Sequence, residues 1–198
     1  MNDSYIYHKI SRDKCSEEEA ITSAYTFYQN LYKSPSISDK AADHFLQNLP
    51  HISAENNKQL MKPISTKELS DLILSLPNNK TPGPDGLTYE FYKSFIQSIS
   101  PIMVEHFNKI LETAEIPISW KESYLILIPK KSSEKHLIQN WQPIALTNTD
   151  YKIFTKILAN RLNKGIIQKI MGNHQNGFIK NRSILNNILD IDTILNQY

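Results

Sequence analysis

The chain has 198 residues, 40% of them hydrophobic, so it is long enough to bury the core of one ordinary domain, alone or with a helical extension. It contains no apolar run of about 18 residues, and its start is not basic and then apolar, which predicts an intracellular protein, nuclear or cytoplasmic, without signal peptide or transmembrane segment. Cys15 is the one cysteine, which excludes a disulfide framework or a thiolate zinc site within one copy.

The net charge of +2 conceals a strong segregation along the chain. Residues 1–120 carry a net charge of −4, residues 121–182 carry +8, and the remaining tail carries −2. Residues 121–182 contain eleven basic and three acidic side chains. This excess favours a surface that binds an anionic partner over a surface on which both charges are evenly mixed. Charge alone leaves open whether that partner is nucleic acid, nucleotide or membrane.

The front of the chain is predicted to be helical. Ser16-Glu17-Glu18-Glu19 has the spacing of a capping box, and the apolar residues after it recur at helical intervals, which predicts a helix over about 16–33. A shorter amphipathic piece over 41–49 is expected to end at Pro50, because proline cannot continue the hydrogen-bond ladder of a helix.

Two further helices are predicted in the next third of the chain. Ser65-Thr66-Lys67-Glu68 is a second capping box, and the helix that it opens is expected to end at Pro77. Pro101 is predicted to start the other helix, because proline is favoured in the first helical turn. The apolar stripes of both helices indicate core packing and not a cofactor site.

The segment between these helices, Pro82-Gly83-Pro84-Asp85-Gly86, is predicted to be a stiff turn. Its prolines fix φ, and Gly86 permits a positive φ. By spacing alone, a structural corner that joins two helices is favoured over a direct functional role. A phosphate-binding P-loop is excluded, since no Gly-Lys-Ser/Thr follows the turn.

A short apolar run over 124–128 predicts a strand covered on both faces, with a partner strand over 143–147. Lys130 and Lys131 follow directly behind Pro129, which places their ammonium groups to bind phosphate or, alternatively, only to solvate the strand end. Trp141 is suited to stack on a base, although a lone tryptophan beside a strand is more often part of the core.

Asn148-Thr149-Asp150 offers several capping oxygens, and a long helix is predicted over 151–170, with Lys152 on its polar face. A last helix over 184–195 completes the prediction. Arg182, just beyond Gly177-Phe178, is suited to clamp a phosphate or to pair with a carboxylate. The six histidines lack the spacing of a metal site. Asp190 and Asp192 are not expected to be catalytic, because residues two apart on a helix point to different sides.

Seven segments, in order, resemble the reverse transcriptases of non-long-terminal-repeat (LINE-type) retrotransposons over about residues 60–198. They are Lys80–Gly86, Ile116–Trp120, Leu127–Lys131, Trp141–Leu146, Tyr151–Ile153, Leu158–Leu162 and Gln175–Phe178. The resemblance implies an α+β fold, mostly helical with a short β-element, that forms the fingers subdomain and the start of the palm of a truncated right-hand polymerase. Residues 1–60 are then a helical connector, and residues 61–198 a partial reverse transcriptase domain.

The resemblance further implies a fragment of an RNA-directed DNA polymerase, with Mg²⁺ as the cofactor of the parent enzyme. Its partners would be RNA template, RNA–DNA hybrid and deoxynucleotide triphosphate, with no membrane, and its oligomeric state is left open. Gln142 departs from the arginine that the family usually has before Pro143. The residues expected to contact nucleotide or template are Lys130, Lys131, Gln142, Pro143, Lys152, Gln175, Gly177, Phe178 and Arg182.

The family's metal-binding aspartates would lie beyond Tyr198, so the resemblance implies no catalytic residue, no metal ligand and no cofactor in this chain. We therefore expect the chain to be inactive on its own. Two alternatives stay open at the level of the sequence. One is a non-catalytic module that binds RNA or an RNA–DNA hybrid, and the other is a helical interaction protein.

Overall fold

The computed structural model describes residues 16–34, 39–47, 49–131, 137–164, 166–172, 174–179 and 181–196. Cys15 lies outside them. The described part is mostly helical with one two-stranded antiparallel sheet, which confirms the predicted α+β class. No helix in this part has the length and apolar character that a membrane span requires.

Two compact units make up the chain. The strand-bearing unit consists of Met1–Gln47 and Glu122–Thr147, and the helical unit consists of Asn48–Lys121 and Asn148–Tyr198.

The strand-bearing unit begins with helices α1, Glu17–Leu31, and α2, Asp39–Leu46. The capping box predicted at Ser16 is confirmed. The Ser16 hydroxyl accepts from the Glu19 amide at 3.2 Å, and the Glu19 carboxylate accepts from the Ser16 amide at 2.7 Å. Two amides that the first helical turn leaves without intrahelical partners are thereby satisfied.

Strands β1, Tyr124–Pro129, and β2, Trp141–Leu146, form an antiparallel hairpin in the same unit. Both strands were predicted, but the prediction that β1 is covered on both faces is wrong. Most of its side chains are exposed, because an apolar sequence does not by itself supply the elements that would pack on the two faces of the strand. Trp141 is buried and its carbonyl accepts from the Tyr28 hydroxyl at 3.4 Å, in agreement with a core role.

The helical unit contains most of the described helices. They are α3 (Ala54–Leu60), α4 (Thr66–Ser75), α5 (Tyr89–Ser94), α6 (Ile96–Thr113), α7 (Thr149–Asn163), α8 (Ile167–Ile170) and α9 (Leu185–Leu195).

The core of the helical unit lies where α4, α6 and α7 pack together. Phe107, Trp120 and Phe154 form an aromatic cluster at its centre, with ring centroids 5.1 to 6.0 Å apart. Tilted and edge-to-face rings at this separation attract one another beyond the gain from burial alone. The apolar stripes of the predicted helices therefore serve the core, as expected.

Two predicted helix boundaries in this unit are wrong. Pro101 lies inside α6 and does not start it, since the helix already begins at Ile96. The predicted helix over 151–170 is interrupted after Asn163, where Lys164 leaves helical geometry with ψ of 51°. The next residue in the sequence is Gly165, a poor helix former, and the chain resumes as the short helix α8.

Candidate nucleic-acid interface

The basic stretch over 121–182 is divided between the two units. Lys130 and Lys131 belong to the strand-bearing unit, whereas Lys152 and Arg182 belong to the helical unit. Each unit thus has its own set of predicted contact residues.

The end of the hairpin holds Lys130 in a defined position. Its backbone N–H donates to the carbonyl of Asn140 at 2.8 Å, and its Nζ donates to the carbonyl of Gln139 at 3.0 Å. Lys130 and Lys131 are both exposed. A lysine ammonium has three N–H donors, so a bond to one carbonyl still permits contact with a phosphate. The hairpin therefore presents two accessible cations.

Gln142 and Pro143 lie on β2 near the same end of the hairpin. Gln142 is exposed and stands opposite Ile128, while Pro143 is half-buried opposite Leu127. A glutamine amide can donate hydrogen bonds to a phosphate, but it brings no charge. The two lysines are consequently the cationic groups of the predicted contact set in this unit.

The turn over 82–86 is built as its composition indicates. Gly86 has φ of +71°, which glycine adopts without steric cost, and its amide donates to the carbonyl of Gly83 at 3.1 Å. The Asp85 carboxylate accepts from the Leu87 amide at 3.0 Å, a local bond that aspartate commonly makes in turns. The turn lies between α4 and α5.

Asn148, directly before α7, joins this turn to the rest of the helical unit. Its side-chain oxygen accepts from the Asp85 amide at 3.3 Å, and its Nδ2 donates to the carbonyl of Ser119 at 3.1 Å. The sequence suggested Asn148 as a helix cap, but the side chain makes no capping bond to α7. Its bridging role was missed, because both partners are distant in sequence.

Lys152, in the first turns of α7, also contacts the turn. Its Nζ donates to the carbonyl of Thr81 at 3.1 Å. Burial lowers the pKa of this ammonium, and the charge of Asp85 opposes that shift. Lys152 therefore has a structural partner in the helical unit, and its predicted contact with nucleic acid stays a prediction.

The loop over 174–182 carries the remaining predicted contact residues. Gln175 and Phe178 are exposed, while Gly177 is half-buried. The Arg182 guanidinium donates to the carbonyls of Gly172 at 2.7 Å and Gln175 at 2.8 Å. The sequence left open whether the partner of Arg182 is a phosphate or a carboxylate. In the structure its guanidinium binds backbone carbonyls, and these bonds stabilise the loop.

Arg161 is a structural residue that the sequence reasoning missed. Its side chain is 9% exposed, and Nε and Nη2 donate to the two carboxylate oxygens of Glu68 at 2.9 and 2.7 Å. Nη1 and Nη2 also donate to three backbone carbonyls at the end of α3 and just after it, those of Leu60, Lys62 and Pro63. The hydrogen bond from Arg161 is the main cause that lowers the pKa of Glu68.

The residues that the structure describes do not offer a magnesium site. Among them, no group of three or more His, Cys, Asp or Glu side chains could hold a metal ion. Asp190 and Asp192 are exposed on α9, two positions apart. The donor set of the described residues does not fit the paired Mg²⁺ ions of two-metal nucleotidyl transfer.

Several transposon proteins are similar to this chain, whereas no protein-family model matches it. The uncharacterized 149 kDa protein of transposon TX1 from Xenopus laevis is 35% identical over 172 residues, or 87% of this chain. A probable RNA-directed DNA polymerase from transposon BS of Drosophila melanogaster is 28% identical over 65% of the chain. The RNA-directed DNA polymerase from mobile element jockey, of the same fly, is 27% identical over 54%.

The chain is a relative of proteins of non-long-terminal-repeat retrotransposons, two of which are named RNA-directed DNA polymerases. The resemblance read from the sequence motifs is thereby confirmed. The chain spans 13%, 14% and 12% of the lengths of these three relatives.

Proposed function

We propose that this chain forms the fingers region and the approach to the palm of a retrotransposon reverse transcriptase. The observation that carries the proposal is its similarity to proteins named RNA-directed DNA polymerases. The net charge of +8 over 121–182 supports it, because a polymerase must bind the phosphates of template, primer and nucleotide.

In this proposal the exposed lysines of the hairpin, Lys130 and Lys131, bind phosphates of the nucleic acid or of the incoming deoxynucleotide triphosphate. Gln142 and Pro143 lie beside them on β2. In the helical unit, the contacts come from Lys152 and from the loop residues Gln175, Gly177, Phe178 and Arg182. Mg²⁺ would supply Lewis-acid chemistry to the whole polymerase, held by catalytic carboxylates that the described residues of this chain do not include.

The experiment that tests the proposal compares the chain with a Lys130→Ala/Lys131→Ala variant in binding an RNA–DNA hybrid. Both lysines are exposed and form no part of the buried core, so the variant should keep its fold. Each phosphate contact contributes about 0.9 to the slope of log affinity against log salt in duplex DNA. We expect the double variant to bind more weakly and to lose about 1 to 2 units of that slope.

A matched control is Lys33→Ala/Lys109→Ala, which removes two exposed lysines outside the basic stretch. It should reduce the salt slope by much less than the hairpin variant. Fluorescence anisotropy at several salt concentrations gives both affinity and slope. Binding that is absent at low salt, or that does not respond to salt, would reject the proposal.

A further inference from the structure

Phe178 stands at the tip of a turn with its side chain fully in solvent, at a relative exposure of 107%. Its φ is +62°, a left-handed conformation that bulky residues rarely adopt, because Cβ then approaches a backbone carbonyl oxygen. Gly177, which would adopt it at no steric cost, is one position earlier. The fold therefore displays an apolar ring outward despite backbone strain and exposed apolar surface.

The turn that carries this ring is anchored on both sides. Asn176 and Ile179 are buried, and the Asn176 amide donates to the side-chain oxygen of Asn187 on α9. The Asn187 amide in turn donates to the carbonyl of His174 at 3.1 Å. Together with the bonds from Arg182, these contacts hold the loop while the ring stays outside. A ring on an anchored backbone loses less conformational entropy when a ligand stacks on it than a ring on a mobile loop would lose.

The sequence around the turn has a one-sided charge. Between Asp150 and Asp190 it contains no acidic residue and seven basic ones, all in the helical unit: Lys152, Lys156, Arg161, Lys164, Lys169, Lys180 and Arg182. Arg161 is paired with Glu68, and the other basic residues of this stretch favour an anionic ligand. Single-stranded nucleic acid matches both features, since cations follow its phosphates while aromatic rings stack on its bases.

We propose that Phe178 is a stacking platform for an unpaired base of single-stranded nucleic acid. The inference rests on the proposed reverse transcriptase function and deepens it, because it specifies the form of nucleic acid that the helical unit binds. In a duplex the bases are already stacked and paired, so Phe178 contributes little to duplex binding. Discrimination between single and double strands is therefore the signature of the site.

The test measures binding of the full chain to a fluorescein-labelled single-stranded RNA and to the same RNA annealed to its complement. Phe178→Leu keeps an apolar side chain but removes the ring, whereas Phe178→Tyr keeps a ring. Since stacking contributes roughly a factor of 5 to 100 per base, we expect Phe178→Leu to lower single-strand affinity about tenfold. Its duplex affinity, and the single-strand affinity of Phe178→Tyr, should stay within about twofold of the parent chain.

The outcomes separate this inference from the function on which it rests. Salt-dependent RNA binding by the parent chain, with equal single-strand affinity for Phe178→Leu, overturns the stacking site and leaves the proposed function intact. No salt-dependent binding by the parent chain overturns both. If Phe178→Leu changes the sedimentation of the chain and not its RNA affinity, the ring belongs to a protein contact and the stacking site is likewise rejected.

Discussion

The ion pair between Arg161 and Glu68 shows how a single residue can stabilise segments that are remote in sequence. The two residues are 93 positions apart, and the guanidinium also reaches carbonyls between α3 and α4. A charge with so little exposure is tolerated because its donors are bonded to a carboxylate and to carbonyl oxygens. Removing one partner would leave the other charged, poorly solvated and unpaired.

Replacing Glu68 by Gln should therefore make stability less sensitive to acid. The folded-state pKa of Glu68 is lowered, so the pair contributes stability above the unfolded-state pKa, near 4.3, and loses it as the pH falls through the folded-state value. We expect Glu68→Gln to reduce the free energy of unfolding by about 1 to 2 kcal/mol at pH 7. The difference from the parent chain should shrink as the pH drops from about 5 to 3.

Urea denaturation at a series of pH values measures this effect. Glu112→Gln, at an exposed position of α6, is the matched control, and its stability should follow that of the parent chain at each pH. A Glu68→Gln deficit that persists unchanged at pH 3 would contradict the role given to the carboxylate.

Local sequence patterns predicted the capping bond of Glu68 but not its ion pair with Arg161. The capping box indicated that the Ser65 hydroxyl would accept from the Glu68 amide, and this bond is present at 3.1 Å. The pairing with Arg161 leaves no trace in the local pattern, because it depends on how α4 and α7 pack. The bonds of Asn148 to Asp85 and Ser119 likewise leave no trace in the local pattern, since Asn148-Thr149-Asp150 suggested only helix capping.

At the scale of elements, Asn148 holds the start of α7 against two loops. Its amide bridges the turn over 82–86 and the segment before β1, through Asp85 and Ser119. Thr149 adds a bond from its hydroxyl to the carbonyl of Leu87 at 2.5 Å, and Trp120 donates to the Asp150 carboxylate at 2.8 Å. A rigid turn is thus attached to a core helix by several separate bonds.

Asn148→Ala should destabilise the helical unit by about 1 to 2 kcal/mol, because it removes two hydrogen bonds that a buried side chain makes. Asn186→Ala, at an exposed position of α9, is the control and should change stability by less than about 0.5 kcal/mol. Thermal denaturation followed by circular dichroism compares the two. Equal melting temperatures for the two variants would show that the bridge is dispensable.

Helix existence was easier to predict than helix limits or strand surroundings. Capping boxes and apolar periodicity located α1 and α4, since both signals are local. Pro101 was assigned to a helix start because an interior proline loses a backbone bond, yet the fold accepts it within α6. Whether β1 is covered depends on what packs on it, which its own apolar sequence does not specify.

At the scale of the whole molecule, the order of several short motifs identified the family, whereas no single motif was sufficient. The resemblance to that family implies the contact residues, and the structure adds which of them are exposed and which hydrogen bonds they make. Lys130 and Lys131 are both exposed on the hairpin. Lys130, Lys152 and Arg182 also donate to backbone carbonyls. The charge of a residue does not show that its side chain also binds a backbone carbonyl, because that bond depends on the path of the loops in the folded chain.

A primer-extension assay tests the prediction that this chain binds nucleic acid without catalysing polymerisation. With a DNA primer on an RNA template, deoxynucleotides and Mg²⁺, we expect no extension by the isolated chain, because two-metal transfer needs carboxylates that hold both ions as the primer oxygen attacks. A retroviral reverse transcriptase on the same substrate is the positive control. Templated incorporation that disappears in Asp190→Asn or Asp192→Asn would contradict the prediction and assign these carboxylates to catalysis.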